Sequence, residues 1–167
     1  MKKTLIVVDM QNDFIHMALG TAEAQAILPA VKAKIQAYAQ AGHRIIYTRD
    51  THEENYLDTP EGKKLPVPHC IRGSQGWQIA EGLYIPGSKI IDKPNFGWPH
   101  WEGEALEDVE LIGLCTDICV VSNALIIKAT FPNATVRVDK TCCAGVTPAS
   151  HEAALTTMAM CQIDIVG

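Results

Sequence analysis

At 167 residues the chain is long enough to bury one hydrophobic core and too short to divide readily into two, so a single domain over residues 1–167 is expected. Its composition, 47% hydrophobic and 20% charged, excludes a disordered chain, and a formal net charge of −5 without a Lys/Arg block argues against nucleic acid or an anionic membrane surface as a partner. The first apolar stretch is cut by Asp9 and Asn12, too short for a signal-peptide core, and no later run is long enough to span a bilayer, so the expected setting is the cytoplasm.

Taken in chain order, residues 5–8 form a β-rich apolar run, and 44–48, 89–91, 109–112, 135–138 and 163–166 repeat the pattern, which predicts six strands. Helical patterns fall between them. Ile27, Val31, Ile35 and Tyr38 share one helix face, Ile118, Val121 and Leu125 share another, and residues 148–160 are rich in alanine. Strands alternating with helices predict an α/β fold: a three-layer α/β/α domain around a six-stranded, mainly parallel sheet. Two longer stretches, 50–75 and 93–101, lack periodicity. Loops of that length in a compact domain usually carry function.

In open parallel sheets the ligand crevice lies beyond the carboxyl ends of the strands. The first predicted strand ends at Asp9, the second at Asp50 followed by His52, and the third at Asp92 and Lys93. The fourth runs through Gly113 into a turn that carries Cys115, Asp117 and Cys119 and enters a helix. At a helix start, Cys119 is placed for a lowered pKa, because unpaired N–H groups favour the thiolate. Lys93 would push the same way, and Asp9 could take the thiol proton and pass it to a leaving amine. Asp50, His52, Glu61 and His69 offer N/O donors suited to Zn²⁺, Mn²⁺ or Fe²⁺. Phe14 and Trp98, with Phe96 beside them, are candidates for an aromatic substrate slot.

Each of these residues has a plainer reading. Asp9 alone could cap a turn, Lys93 could be a solvated strand-end lysine, and a lone Cys119 could be packing. The four N/O donors could form a hydrogen-bonded loop without a metal. The six cysteines, at 70, 115, 119, 142, 143 and 161, are irregularly spaced and read as free thiols. Cys142, Cys143 and Cys161 read as packing groups, and Asp117 as a partner for local backbone. His16, His43, His100 and His151 read as surface or satisfied histidines.

Four segments carry a resemblance across essentially the whole chain: Val-Val-Asp-Met-Gln-Asn-Asp-Phe at 7–14, Thr-Arg-Asp-Thr-His at 48–52, Lys93, and Gly-Leu-Cys-Thr-Asp-Ile-Cys-Val at 113–120. In this order they resemble the isochorismatase-like cysteine hydrolases, which include nicotinamidases, carbamoylsarcosine hydrolases and isochorismatases. The resemblance implies a triad of Asp9, Lys93 and Cys119, a non-proline cis peptide at Leu114–Cys115, and an oxyanion hole from the N–H groups of Cys115 and Cys119. It also implies a divalent metal on Asp50, His52, Glu61 and His69, no organic cofactor, and a homo-oligomer. The expected activity is hydrolysis of a small carboxamide through a thioester, with nicotinamide as the leading substrate. Other small-amide or carbamoyl hydrolysis, isochorismate vinyl-ether hydrolysis and a non-catalytic binding protein are the alternatives. Cys119 counts against the vinyl-ether branch, which lacks a cysteine at that position.

Overall fold

The computed structural model describes residues 2–167. Six strands, β1 (Thr4–Val8), β2 (Arg44–Asp50), β3 (Lys89–Lys93), β4 (Asp108–Leu114), β5 (Thr135–Ala144) and β6 (Asp164–Val166), form one sheet in the order β3-β2-β1-β4-β5-β6. Every neighbouring pair is parallel, so the sheet expected to be mainly parallel is parallel throughout. The helices are α1 (Asn12–Ile15), α2 (Ala22–Ala26), α3 (Leu28–Gln40), α4 (Pro60–Lys64), α5 (Val121–Thr130) and α6 (Pro148–Met160). None is long and apolar enough to cross a membrane among the described residues.

The two-residue period of the strands divides the core in two. On one face Ile6, Val8, Ile46 and Leu111 pack with Val120, Ala124 and Ile127 of the α5 region and with Leu155 and Met158 of α6. On the other, Leu5, Val7, Ile45, Tyr47 and Ile112 pack with Val31, Ile35 and Tyr38 of α3. All five residues of β1 are buried, as a central parallel strand covered on both faces requires. Each such Leu, Ile or Val contributes about 1.5–3 kcal/mol relative to exposure.

Local chemistry sets the helix starts. Thr147 caps α6 through the Ser150 N–H, the Ser150 hydroxyl returns the interaction, and Pro148 opens the first turn. Thr59 accepts from the Gly62 N–H and Pro60 opens α4 in the same way. The stretch 50–75, expected to lack regular structure, therefore holds α4 and a single 3₁₀ turn, Tyr56–Asp58.

The sheet order reverses between β1 and β4: the chain steps from β1 out to β2 and β3 on one side, and from β4 to β5 and β6 on the other. A crevice opens where strand order reverses in this way, beyond the strand ends. Asp9 and the Cys119 turn flank it.

Candidate active site

Each strand end delivers one group. Asp9 directly follows β1 with φ of 48°, a left-handed conformation that aspartate tolerates better than most residues. Its side chain is fully buried; Oδ1 accepts from the Thr48 hydroxyl at 2.6 Å. Lys93, the last residue of β3, is equally buried, with Nζ 2.6 Å from Asp9 Oδ2. The same ammonium lies 3.4 Å from Cys119 Sγ and donates to the Asn95 carbonyl at 3.2 Å. The neighbouring Asp92 lies on the opposite face of the strand, held by Arg49 at 2.7 Å, as the alternation of a strand requires.

Cys119 lies in a π-type turn, Thr116–Val120, closed by the Val120 N–H on the Cys115 carbonyl at 3.0 Å. The preceding Leu114–Cys115 peptide is cis. α5 begins only at Val121, so Cys119 does not occupy the first turn of an α-helix. This corrects the expectation of a lowered thiol pKa. Burial, then the Asp9 charge, push the thiol well above its ordinary value, and Lys93 offsets them only in part. Burial therefore favours the protonated thiol over the thiolate at this sulfur.

Burial also raises the Asp9 carboxyl, opposed by Lys93 and assisted by Asp50. Burial works against a charged Lys93, but Asp9, Cys119 and Asp50 outweigh it and hold the ammonium protonated. The pair is thus a carboxyl raised by burial beside a lysine whose ammonium form is favoured by its acidic neighbours.

The second group converges as closely. Asp50, His52, Glu61 and His69 each bring one donor atom to within 4.8 Å of the others. Asp50 Oδ2 is 3.0 Å from His52 Nε2 and 3.4 Å from His69 Nε2, and Glu61 Oε1 is 3.6 Å and 3.9 Å from the same two nitrogens. His69 Nδ1 donates to the Val67 carbonyl at 2.8 Å, which aims Nε2 at the cluster, the arrangement typical of a ligating histidine. Asp50 Oδ1 is buried with no hydrogen-bond partner. Burial would raise the Asp50 carboxyl, yet the two histidines and Lys93 hold it well below the usual carboxylate range. An ionised, under-bonded carboxylate facing two imidazoles and a second carboxylate fits a divalent cation.

Cys119 of the first group and Asp50, Glu61 and His69 of the second line one small cavity of about 60 Å³, together with Phe14, Leu19, Leu65, Phe96, Cys115 and Ile118. Phe14, on the cavity wall, lies against His69 with ring centroids 5.6 Å apart. Trp98 does not line the cavity: its ring packs on the core and edge-on to His100, and Phe96 takes the wall instead. A larger open groove of about 570 Å³ around Leu106, Phe131 and Thr135 lies at the opposite ends of the strands, with Glu107 its one ionisable side chain. The chemistry collects in the small cavity.

Several supporting residues carried no role in the sequence reading. Gln11, fully buried, donates to the carbonyls of Asp50 and Trp77 and accepts the Asp50 N–H. Asp13 accepts the Cys70 N–H at 2.7 Å and so fixes the backbone beside His69. Both lie within the 7–14 motif, which was the signal available. Asn123, one turn beyond Cys119, had none.

A parallel α/β protein with a buried carboxylate, lysine and thiol at its strand reversal is the class that these observations define. The isochorismatase domain family matches residues 3–166, and the chain belongs to that family. It is 26% identical to nicotinamidase/pyrazinamidase of Mycobacterium tuberculosis over 186 aligned positions, which cover 98% of each chain. The crystal structure of pyrazinamidase of Pyrococcus horikoshii in complex with zinc superposes with a TM-score of 0.85 at 27% identity, covering 99% of both chains. The nicotinamidase/pyrazinamidase structure from Bacillus subtilis, at 23% identity and a TM-score of 0.88 over both full chains, shares the fold.

Proposed function

We propose that the protein hydrolyses the C–N bond of a small carboxamide, nicotinamide foremost, to the carboxylate and ammonia. The observation that carries the reading is the buried contact set in which one ammonium lies 2.6 Å from Asp9 and 3.4 Å from the Cys119 sulfur, on a cavity small enough for a single ring. The relatives named above support amide chemistry.

In this mechanism Asp9 takes the thiol proton as the sulfur attacks the carbonyl carbon, so a free thiolate never has to persist in a buried site. Lys93 keeps its charge throughout and offsets the negative charge that passes from sulfur to carboxylate. The N–H groups of Cys115 and Cys119 serve the tetrahedral oxyanion. Asp9 then protonates the departing nitrogen, ammonia leaves, and a thioester remains on Cys119. A water gives its proton to Asp9 and adds to the thioester; collapse releases the acid and returns the proton to sulfur.

Asp50, His52, Glu61 and His69 would hold a divalent zinc, manganese or iron ion, with no organic cofactor required. When bound, such an ion supplies a positive centre for a neutral nitrogen donor on the substrate, which favours pyridine and pyrazine amides. Phe14 and Phe96 would flank the ring. The same reading has one domain of 167 residues working as a homo-oligomer in the cytoplasm, a compartment that suits six free thiols.

The test is ammonia release from nicotinamide by the zinc- or manganese-loaded protein, with Cys119→Ala as its partner. Turnover lost in the variant, together with an acylated Cys119 trapped in the wild type by mass spectrometry, is the expected result. Full activity in Cys119→Ala would end the mechanism.

A further inference from the structure

Asn123 is wholly buried, lies outside the triad and the donor cluster, and uses its carboxamide four times. Nδ2 donates to the Cys119 carbonyl at 2.8 Å and to the Phe96 carbonyl at 3.1 Å. Oδ1 accepts the Trp98 N–H at 2.9 Å and the Trp101 indole N–H at 3.1 Å. One side chain therefore ties the backbone of the nucleophile to three positions in the segment that follows Lys93. That segment has no regular structure over residues 94–100, so its conformation depends on such contacts.

The seating is close as well as bonded. Gly97, between two of the tied residues, approaches α5 so nearly that a Cβ there would lie 2.4 Å from Ile126 Cδ1 and 3.4 Å from Ser122 Cβ. Phe96, carried on this seat, is a wall of the cavity on which Cys119 opens, and the residue is otherwise 38% exposed. Nothing from solvent holds an exposed ring at a fixed distance from the sulfur. The bonds to Asn123 fix the backbone from which that ring projects, with the Phe96 N–H held by Asn95 Oδ1 at 2.6 Å.

The geometry points to Asn123 as a positioning residue that sets the spacing between the Phe96 wall and Cys119, and so decides how large a molecule reaches the sulfur. The inference rests on the amidase reading for its kinetic expression only. Asn123 touches no reacting atom. It acts through Phe96, on the fit of substrate, more than through the proton transfers.

Two variants test it. Asn123→Asp keeps the shape and the acceptor for Trp98 and Trp101 but loses both donors; Asn123→Leu loses all four bonds. Val136→Ala, a buried deletion near the far end of β5, controls for loss of stability alone. Three measurements are made on each folded protein: thermal melting, the KM and kcat for nicotinamide, and the ratio of Cys119 alkylation rates with N-phenylmaleimide and iodoacetamide. Both Asn123 variants should raise KM by about tenfold to a hundredfold, the scale of a misplaced binding wall, with a smaller fall in kcat. Both should also admit the bulky reagent at least about tenfold better relative to the small one, while Val136→Ala keeps the wild-type KM and ratio. If Asn123→Leu fails to fold, Asn123→Asp carries the test. Wild-type KM and reagent ratio in Asn123→Asp, or the same changes in Val136→Ala, would overturn the proposal. A wild-type protein that releases no ammonia from nicotinamide would count against the proposed function, and the alkylation ratio would still decide the role of Asn123.

Discussion

Replacing Lys93 by methionine removes the ammonium and keeps most of the stem that fills its buried site. The change leaves Asp9 with the Thr48 hydroxyl as its remaining close partner. Removing one member of a buried pair costs about 3–5 kcal/mol, because the other charge is left uncompensated. For a chain of this size that lowers Tm by roughly 6–20 °C. The loss should depend on pH in a direction fixed by Asp9. Its folded-state carboxyl already lies above the ordinary value, first through burial, and Lys93 is what opposes that rise. In the variant it rises further. A carboxyl raised on folding favours the folded state below its unfolded pKa, and that advantage is lost as pH rises through the folded value. Calorimetry at about pH 8 and about pH 5 should therefore show the Tm deficit widest at the alkaline end and narrowed at the acid end. Ammonia release should fall by at least about a hundredfold throughout. A deficit of equal size at both pH values, or turnover within tenfold of wild type, would refute the claim that the ammonium neutralises Asp9.

Three further outcomes follow from other parts of the molecule. Zinc at about a hundred times its dissociation constant should stabilise the wild type by about 2.7 kcal/mol, a Tm rise of roughly 5–11 °C, and His69→Ala should lose most of that response. Gly113→Ala should lower the urea midpoint by the equivalent of about 1–3 kcal/mol or more, since φ is 119° there and a Cβ would meet the Val8 carbonyl oxygen at 2.1 Å; an unchanged midpoint would show that β1 and β4 can separate at little cost. Glu104 is nearly buried and is paired with Arg44 and Lys89; burial alone would raise its carboxyl, but these cations hold it low. Its contribution, up to about 1 kcal/mol, is present above the usual glutamate range and lost as pH falls through the lowered value. The Tm gap between wild type and Glu104→Gln should accordingly close on acidification.

What was legible in the sequence was whatever repeats at short range. The six strands are apolar runs with β-branched residues, and each strand-end residue could be read directly from where its run stops. Asp9, Asp50, Lys93 and Cys119 were found in that way. The roles of Gln11 and Asn123 were not, because the partners of Gln11 lie 39 and 66 positions away and those of Asn123 lie on a loop with no pattern. Helix α4 is only five residues long, below the length at which an apolar period can show. Its Thr-Pro-Glu start, a capping residue followed by proline and an acid, was a usable signal. The thiol differs for another reason: the sequence suggests a helix start at Cys119, whereas α5 begins at Val121 and the burial that raises the thiol is a property of the assembled layers. Trp98 and Phe96 are two residues apart, and choosing between them required knowing which one the Asn123 anchor leaves at the cavity.

The register of the sheet gives one lysine two carboxylates with opposite properties. Lys93 and Asp50 are register partners across β3 and β2, and Asp9 follows β1 on the other side of β2. Reading across the strands β3, β2, β1 and β4, the sheet presents ammonium, carboxylate, carboxylate and thiol. Burial wins at Asp9, where one lysine opposes it, so the carboxyl is raised and can exchange protons. At Asp50 the two histidines join the lysine, and the carboxyl is held low and ionised, as a metal ligand must be. The proposed proton acceptor and the proposed cation ligand therefore differ by their neighbours and not by residue type. That difference depends on alternation along β3: a slip of one residue would bring Asp92 to the site in place of Lys93 and send the lysine toward Arg49. Three acids would then face the sulfur with no cation among them, and neither the thiol proton nor a substrate carbonyl would have a reason to move.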